Sequence, residues 1–208
     1  MAKILYIAAN PKEEEKSFSM SVARKFIEKY KQKNPDDIIE EINIYNADFP
    51  VVDNVLLNGW EKLWSGSSFE ELSDTEKRKI KSVEDFSENF SLYDKYIISN
   101  PMWNFTIPPR LKAFIDSVVI ADKTFKFTKE GPVGLLENKK LFHVQASGGV
   151  YKDSSREFSD SYLRSIFAFM GVTDVRSVFI EGVNMYPQKA KEIKEQAIQE
   201  AEKHALEF

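Results

Sequence analysis

Short apolar runs, set at intervals and separated by stretches with helical spacing, limit what this chain can fold into more than any other feature. Ile4 to Ala9 is continuously apolar and stops at Asn10-Pro11. A run with no polar alternation suits a central strand covered on both faces. Ile38 to Tyr45 reads as a second strand with Ile38, Ile42 and Ile44 on one side, and Lys95 to Ser99 as a third. Lys140 to Ala146 and Val175 to Ile180 supply the fourth and fifth. Between them, Phe18, Val22, Phe26, Ile27 and Tyr30 recur at helical spacing up to Asn34-Pro35. Further helices are predicted over Leu111 to Ile120, Arg156 to Met170 and Pro187 to Leu206. Strands that alternate with helices pair in parallel through right-handed crossovers. The expected architecture is therefore α/β: a doubly wound five-stranded parallel sheet, order 2-1-3-4-5, with helices on both faces.

At 208 residues and 42% hydrophobic the chain has material for one substantial core, so residues 1–208 read as a single domain. The long connection over residues 46–93 reads as a helical insertion. It carries Trp60 and Trp64 one turn apart as packing residues, and Ser73-x-x-Glu76 as a capping box ahead of Ile80, Val83, Phe86 and Phe90. A net charge of −4 with no concentrated basic face argues against nucleic acid, whose binding needs phosphate neutralisation. With no cysteine there is no thiolate nucleophile and no disulfide, and two histidines make a metal site improbable. The N-terminal apolar run is too short for a signal peptide, and no stretch reaches the ~18 apolar residues of a membrane span. A soluble cytoplasmic protein is expected.

Ligands of open α/β sheets bind beyond the carboxyl ends of the strands, so three loops matter. The first, Asn10 to Ser19, has neither G-x-G-x-x-G nor a Walker lysine motif, which removes the Rossmann and P-loop modes. It does place Ser17 and Ser19 at a helix start, where free N–H groups and the positive dipole end favour an anion; a plain serine cap is the simpler alternative. The second, Pro101-Met102-Trp103-Asn104-Phe105, offers main-chain polar groups between apolar walls, as a flat heteroaromatic ring requires, although Trp103 and Phe105 could equally be core. In the third, Ser147-Gly148-Gly149, the glycines permit close backbone approach, or simply a turn. It lacks the first glycine of a nucleophile elbow. A phospho-receiver of the same topology needs an acidic cluster at the end of strand one and an aspartate at the end of strand three, where this chain has Ala8-Ala9-Asn10 and Ser99-Asn100-Pro101, so that alternative fails on chemistry.

Taken in order, Ser17-Phe18-Ser19, Pro101-Met102-Trp103-Asn104-Phe105 with Ile107-Pro108, Leu111-Lys112-x-Phe114-Ile115-Asp116, Thr124-Phe125-Lys126-Phe127, Gly131-Pro132-x-Gly134-Leu135, Ser147-Gly148-Gly149 and Gly171-Val172-Thr173 resemble the flavodoxin-like FMN-dependent NADH azoreductases, also classed as NADH:quinone oxidoreductases. The resemblance implies that Ser17, Phe18 and Ser19 hold the FMN phosphate, that Pro101 to Phe105 line the isoalloxazine, and that Ser147, Gly148 and Gly149 meet its pyrimidine end. It also implies a homodimer in which Phe127, Tyr151 and Phe169 border the substrate pocket. Asn10 stands where the family commonly has serine, which puts one phosphate or ribityl contact in doubt. NADH would donate hydride, and quinones or azo compounds would accept two electrons, by a ping-pong scheme. No side chain is expected to be an obligatory acid or base, with Asn104 and Tyr151 as modulators. The competing functions are a flavodoxin-like electron carrier without NADH oxidation and a flavin-free regulatory module. His143, mid-strand, reads as a hydrogen-bonded structural residue, and Lys77 to Lys81 as a solvated helix face.

Overall fold

The computed structural model describes residues 1–208. Its strands are β1 (Lys3–Ala8), β2 (Ile38–Asn43), β3 (Lys95–Pro101), a short antiparallel pair β4 (Phe125–Thr128) and β5 (Gly131–Gly134), then β6 (Lys140–Ala146) and β7 (Asp174–Ile180). Five of them form one sheet in the order β2-β1-β3-β6-β7, every neighbour parallel. With the hairpin set aside this is the expected 2-1-3-4-5 order. The register pairs Ala8 with Ser99, Pro101 with Ala146 and Ala146 with Ile180. The loops that leave β1, β3, β6 and β7 consequently emerge side by side at one edge.

The helices are α1 (Phe18–Lys33), α2 (Asn54–Trp64), α3 (Asp74–Ser91), α4 (Pro109–Val118), α5 (Ser159–Phe169) and α6 (Ala190–Glu207). Because side chains alternate across a strand, successive residues of the central strands enter opposite cores. Ile4, Tyr6, Ile97, Phe142 and Val144 pack beneath α1 and α6, around Phe26 stacked on Phe142 with centroids 3.8 Å apart. Leu5, Ile7, Tyr96, Ile98 and Leu141 pack beneath α3, α4 and α5. A smaller cluster joins α2 to α3 through Leu56, Ile80 and Val83.

The capping box forms as expected: Ser73 and Glu76 hold one another's backbone N–H groups. Lys62 and Ser73 hold the Glu76 carboxyl down to about 2, from 4.5 ordinarily.

Several local expectations need correction. Trp64 stacks on Trp60 but is 80% exposed, so it is not a packing residue. β2 is an edge strand, which leaves Ile38 exposed while Ile44 is buried. Beyond the helix expected over Pro187 to Leu206 the chain ends in the core, with Phe208 buried against Phe26, Tyr30 and Phe142, and His204 lying against Phe142. In the basic run, Ile80 is core and Lys79 pairs with Asp53. The β4–β5 hairpin was not anticipated, since four-residue strands rich in glycine and proline carry little periodicity.

Candidate functional site

At the carboxyl edge of the sheet two cavities of about 250 and 390 Å³ share Met102, Ser147, Gly148 and Asn184, and so form one elongated crevice. One end is lined by Asn10, Lys12, Lys16, Ser17, Phe18 and Ser19. At the other end stand Asn104, Phe105, Gly149 and Tyr151. Pro101 and Trp103 line the stretch between them. Of the residues singled out from the sequence, Phe127 and Phe169 line neither cavity. They gather instead about Phe125 at the hairpin, where Phe127 is 74% exposed.

The first end is built on the start of α1. Ser17 caps the helix by accepting from the Met20 N–H. Asn10 Nδ2 also donates to Ser17 Oγ at 3.0 Å. A hydroxyl has two acceptor sites and one proton. With both acceptor sites taken, Ser17 is left as a donor, and its neighbour Ser19 Oγ lies 3.3 Å away. Asn10 thus orients Ser17. The N–H groups of Phe18 and Ser19 donate to no atom of the protein, as the first turn of a helix leaves them. Free donors, the positive end of a 16-residue helix and the Lys12 side chain together make this end suited to an anion, while Lys16 at its rim is paired with Glu13.

The second loop closes as a two-residue turn: Trp103 N–H donates to Thr106 C=O, and Thr106 N–H to Trp103 C=O. Asn104 and Phe105 occupy it with φ of 50° and 69°. Such a turn needs the left-handed region at both central positions, which asparagine tolerates and phenylalanine resists. Neighbours hold Phe105 there. Its carbonyl accepts from the Phe158 N–H, its ring meets Tyr151 edge-on at 5.6 Å, and the Arg156 guanidinium lies 5.7 Å from the ring centre. The N–H groups of Asn104 and Phe105 have no protein acceptor.

The third loop is knitted to residues 182–185. Ser147 C=O accepts from Val183, Gly148 C=O from Asn184 and Met185, and Gly149 C=O from Gly182. In a trans peptide the following N–H points away from the carbonyl, so the N–H groups of Gly148, Gly149 and Val150 turn away from that segment, and none has a protein acceptor. Glu181 fixes the next step by accepting from both Tyr151 and Lys152 N–H. A Cβ on Gly148 would stand 2.8 Å from Asn184 Nδ2, and one on Gly149 about 3 Å from the Tyr151 ring, so both glycines serve close approach.

Sequence reasoning missed Val183, Asn184 and Glu181. The only signal was position: they follow a predicted strand at the same edge of the sheet. It missed, too, that Tyr45 lies edge-on to Trp103 at 6.2 Å with its hydroxyl buried and without a partner. Burial pushes the Tyr45 phenol up, partly offset by Arg110.

A family model for the flavodoxin-like fold matches residues 2–205. The chain is 46% identical to an FMN-dependent NADH:quinone oxidoreductase of Geobacillus kaustophilus, with 100% of each chain covered. It is 44% identical, again over 100% of each, to FMN-dependent NADH:quinone oxidoreductase 2 of Bacillus subtilis. Among solved structures it is similar to an azoreductase from Bacillus anthracis str. Sterne, with a TM-score of 0.89, 35% identity and 100% of each chain covered. It is equally similar to an FMN-dependent NADH-azoreductase from Bacillus anthracis str. Ames Ancestor in complex with FMN: TM-score 0.89, 34% identity, 100% of this chain and 99% of that one.

Proposed function

The chain belongs to the flavodoxin-like fold family, among relatives that are FMN-dependent NADH:quinone oxidoreductases, and on that footing we propose that it is an FMN-dependent oxidoreductase that oxidises NADH and reduces quinones and azo compounds. One observation carries the reading: three strand ends each bring backbone N–H groups without protein acceptors to the same crevice. Donors with no protein acceptor can pair with a ligand without breaking any internal bond, so a ligand that accepts along one edge and ends in an anion is what the crevice suits. FMN has that outline.

Bound there, FMN would supply the two-electron redox chemistry between NADH and a quinone or azo acceptor. The chain's own work is to bind and orient. Ser17, Ser19 and the Phe18 and Ser19 N–H groups would hold the phosphate, with Asn10 aiming the Ser17 hydroxyl. Met102 to Phe105 would grip the ring through main-chain groups, the left-handed turn presenting the Asn104 and Phe105 N–H donors. The Gly148 and Gly149 N–H groups would offset negative charge at the ring's far end, as fixed donors do where charge develops. Tyr151 and the Trp103 and Phe105 side chains would bound the space left for donor and acceptor, which would use it in turn by a ping-pong scheme. We further propose a homodimer in which Phe127 and Phe169 border the partner's pocket; the exposure of Phe127 supports this.

The test is the initial-rate pattern of the FMN-loaded protein with NADH and a quinone varied together. Parallel double-reciprocal lines are expected. Intersecting lines overturn the ping-pong scheme, and no NADH oxidation at all overturns the enzymatic reading in favour of an electron carrier.

A further inference from the structure

His143 is fully buried in the middle of β6, on the face covered by α5, and nothing in the proposed chemistry uses it. Its two ring nitrogens both have partners. Nδ1 lies 2.7 Å from Asp160 Oδ1, and Nε2 lies 2.8 Å from Asn100 Oδ1. Around this centre stand Asp160, Arg164 and Ser159 from α5, Ser177 from β7, Asn100 from β3, Gln145 from β6 and Glu157 just before α5.

The direction of each bond follows from what each atom can do. Asn100 places the other end of its amide 3.0 Å from the Pro101 carbonyl and 3.3 Å from Ser159 Oγ. A carbonyl only accepts, so that end is the NH2, and the end toward His143 is the oxygen. Nε2 must therefore donate. Asp160 receives Arg164 Nε at 2.6 Å on one oxygen and the Ser177 hydroxyl on the other. The Arg164 guanidinium also donates to Ser177 Oγ, which leaves the Ser177 proton for Asp160, so both carboxylate oxygens accept before His143 is counted and the group is held ionised by Arg164 and Ser177. An ionised carboxylate only accepts, so Nδ1 donates as well.

We propose that Asp160, His143 and Asn100 form a buried positioning relay in which His143 carries a proton on both ring nitrogens, and that this relay sets the Pro101–Met102 peptide from which the crevice turn starts. The peptide is held from both sides: Asn100 donates to the Pro101 carbonyl, and the Met102 N–H donates to the Ala146 carbonyl at 2.7 Å. The relay has two arrangements. Were Nε2 to lose its proton, its lone pair would face the Asn100 oxygen. Turning the amide over to relieve that would set the oxygen against the Pro101 carbonyl and release the peptide. In a buried network a half-satisfied state of this kind is costly, which favours the one arrangement. His143, Asp160 and Asn100 are positioning residues, for none of them lines the crevice.

The proposal rests on the flavin reading only for what the turn is used for, so its decisive arms need no flavin. The chain has two histidines, which makes a nitrogen-15 spectrum of labelled histidine in the flavin-free protein simple to assign. At neutral pH both ring nitrogens of His143 should carry a proton; one bare ring nitrogen overturns the relay. Asp160→Asn should shift the backbone amide signals of Met102 to Thr106 and leave those of α6 in place. Should that variant not fold, Asn100→Ala makes the same comparison with the Asp160–His143 pair intact. Signals from the turn that stay put overturn the positioning role. In the variant that folds, the FMN dissociation constant should rise roughly tenfold or more, the scale of one lost hydrogen bond to a charged group. A wild-type chain that takes up no FMN would refute the flavin reading and leave the spectra to decide the relay.

Discussion

The two faces of the sheet are built differently. Beneath α1 and α6 the interior is mostly apolar, with Phe26 stacked on Phe142 and Phe208 edge-on to both, and its fully buried polar contact is the neutral bond between Tyr6 and Ser99 at 2.9 Å. Beneath α5 the interior carries an ionised aspartate, a histidine and a buried amide bonded in series. The first arrangement supplies stability without aiming anything. The second is directional, and it lies under the turn that lines the crevice. A protein that must hold a loop to within a fraction of an ångström has use for directed bonds where apolar packing alone would suffice for folding.

If the faces divide their work in this way, damage to them should separate. The largest effect is expected from Phe142→Ala, which removes a ring stacked at 3.8 Å on Phe26 and should cost about 3–5 kcal/mol in chemical denaturation. FMN affinity per folded molecule should hardly change; a parallel loss would show that the faces are not separable. Ser17→Ala sits at the opposite pole. It should cost about 1 kcal/mol of stability through the lost helix cap, yet weaken FMN binding markedly in a fluorescence titration.

Glu76→Gln probes a region belonging to neither face. The Glu76 carboxyl is held at about 2 in the folded chain against 4.5 ordinarily, chiefly by Lys62. Its folded value is depressed, so its contribution is present above the ordinary value and is lost as pH falls from about 4.5 through about 2. Glutamine keeps the cap and removes the charge. Melting temperatures of the variant should fall less steeply than wild type across that window, and binding should be untouched. Trp64→Ala is the smallest, within about 0.5 kcal/mol, because an indole that is 80% exposed has little burial to lose. A larger drop would mean that another molecule covers it in solution.

Much of this was legible in the sequence. β1, β3 and β6 are covered on both faces, so their apolar runs announced them, and the loops at their ends followed. Ser17 as a cap and Gly148-Gly149 as a close approach are local chemistry, readable from adjacent residues. What stayed hidden depends on partners far along the chain. His143 meets Asp160 and Asn100 across 17 and 43 residues, and no periodicity encodes that meeting. The left-handed Phe105 was equally hidden, since the usual marker of such a turn is a glycine, and none stands between Trp103 and Thr106. The exposed Trp64 went against an apolar pattern that is right for α3 and wrong for the outer end of α2.

The central claim is that the crevice between α1, the turn at Asn104-Phe105 and the Gly148-Gly149 loop takes one flavin whose anionic tail lies at Ser17. An equilibrium titration of flavin-free protein with FMN and, separately, with riboflavin, which lacks the phosphate, tests it most directly. The account predicts saturation at one FMN per chain and much weaker riboflavin binding, with Ser17→Ala narrowing the gap between the two. Equal affinity for both, or no uptake of either, would contradict it.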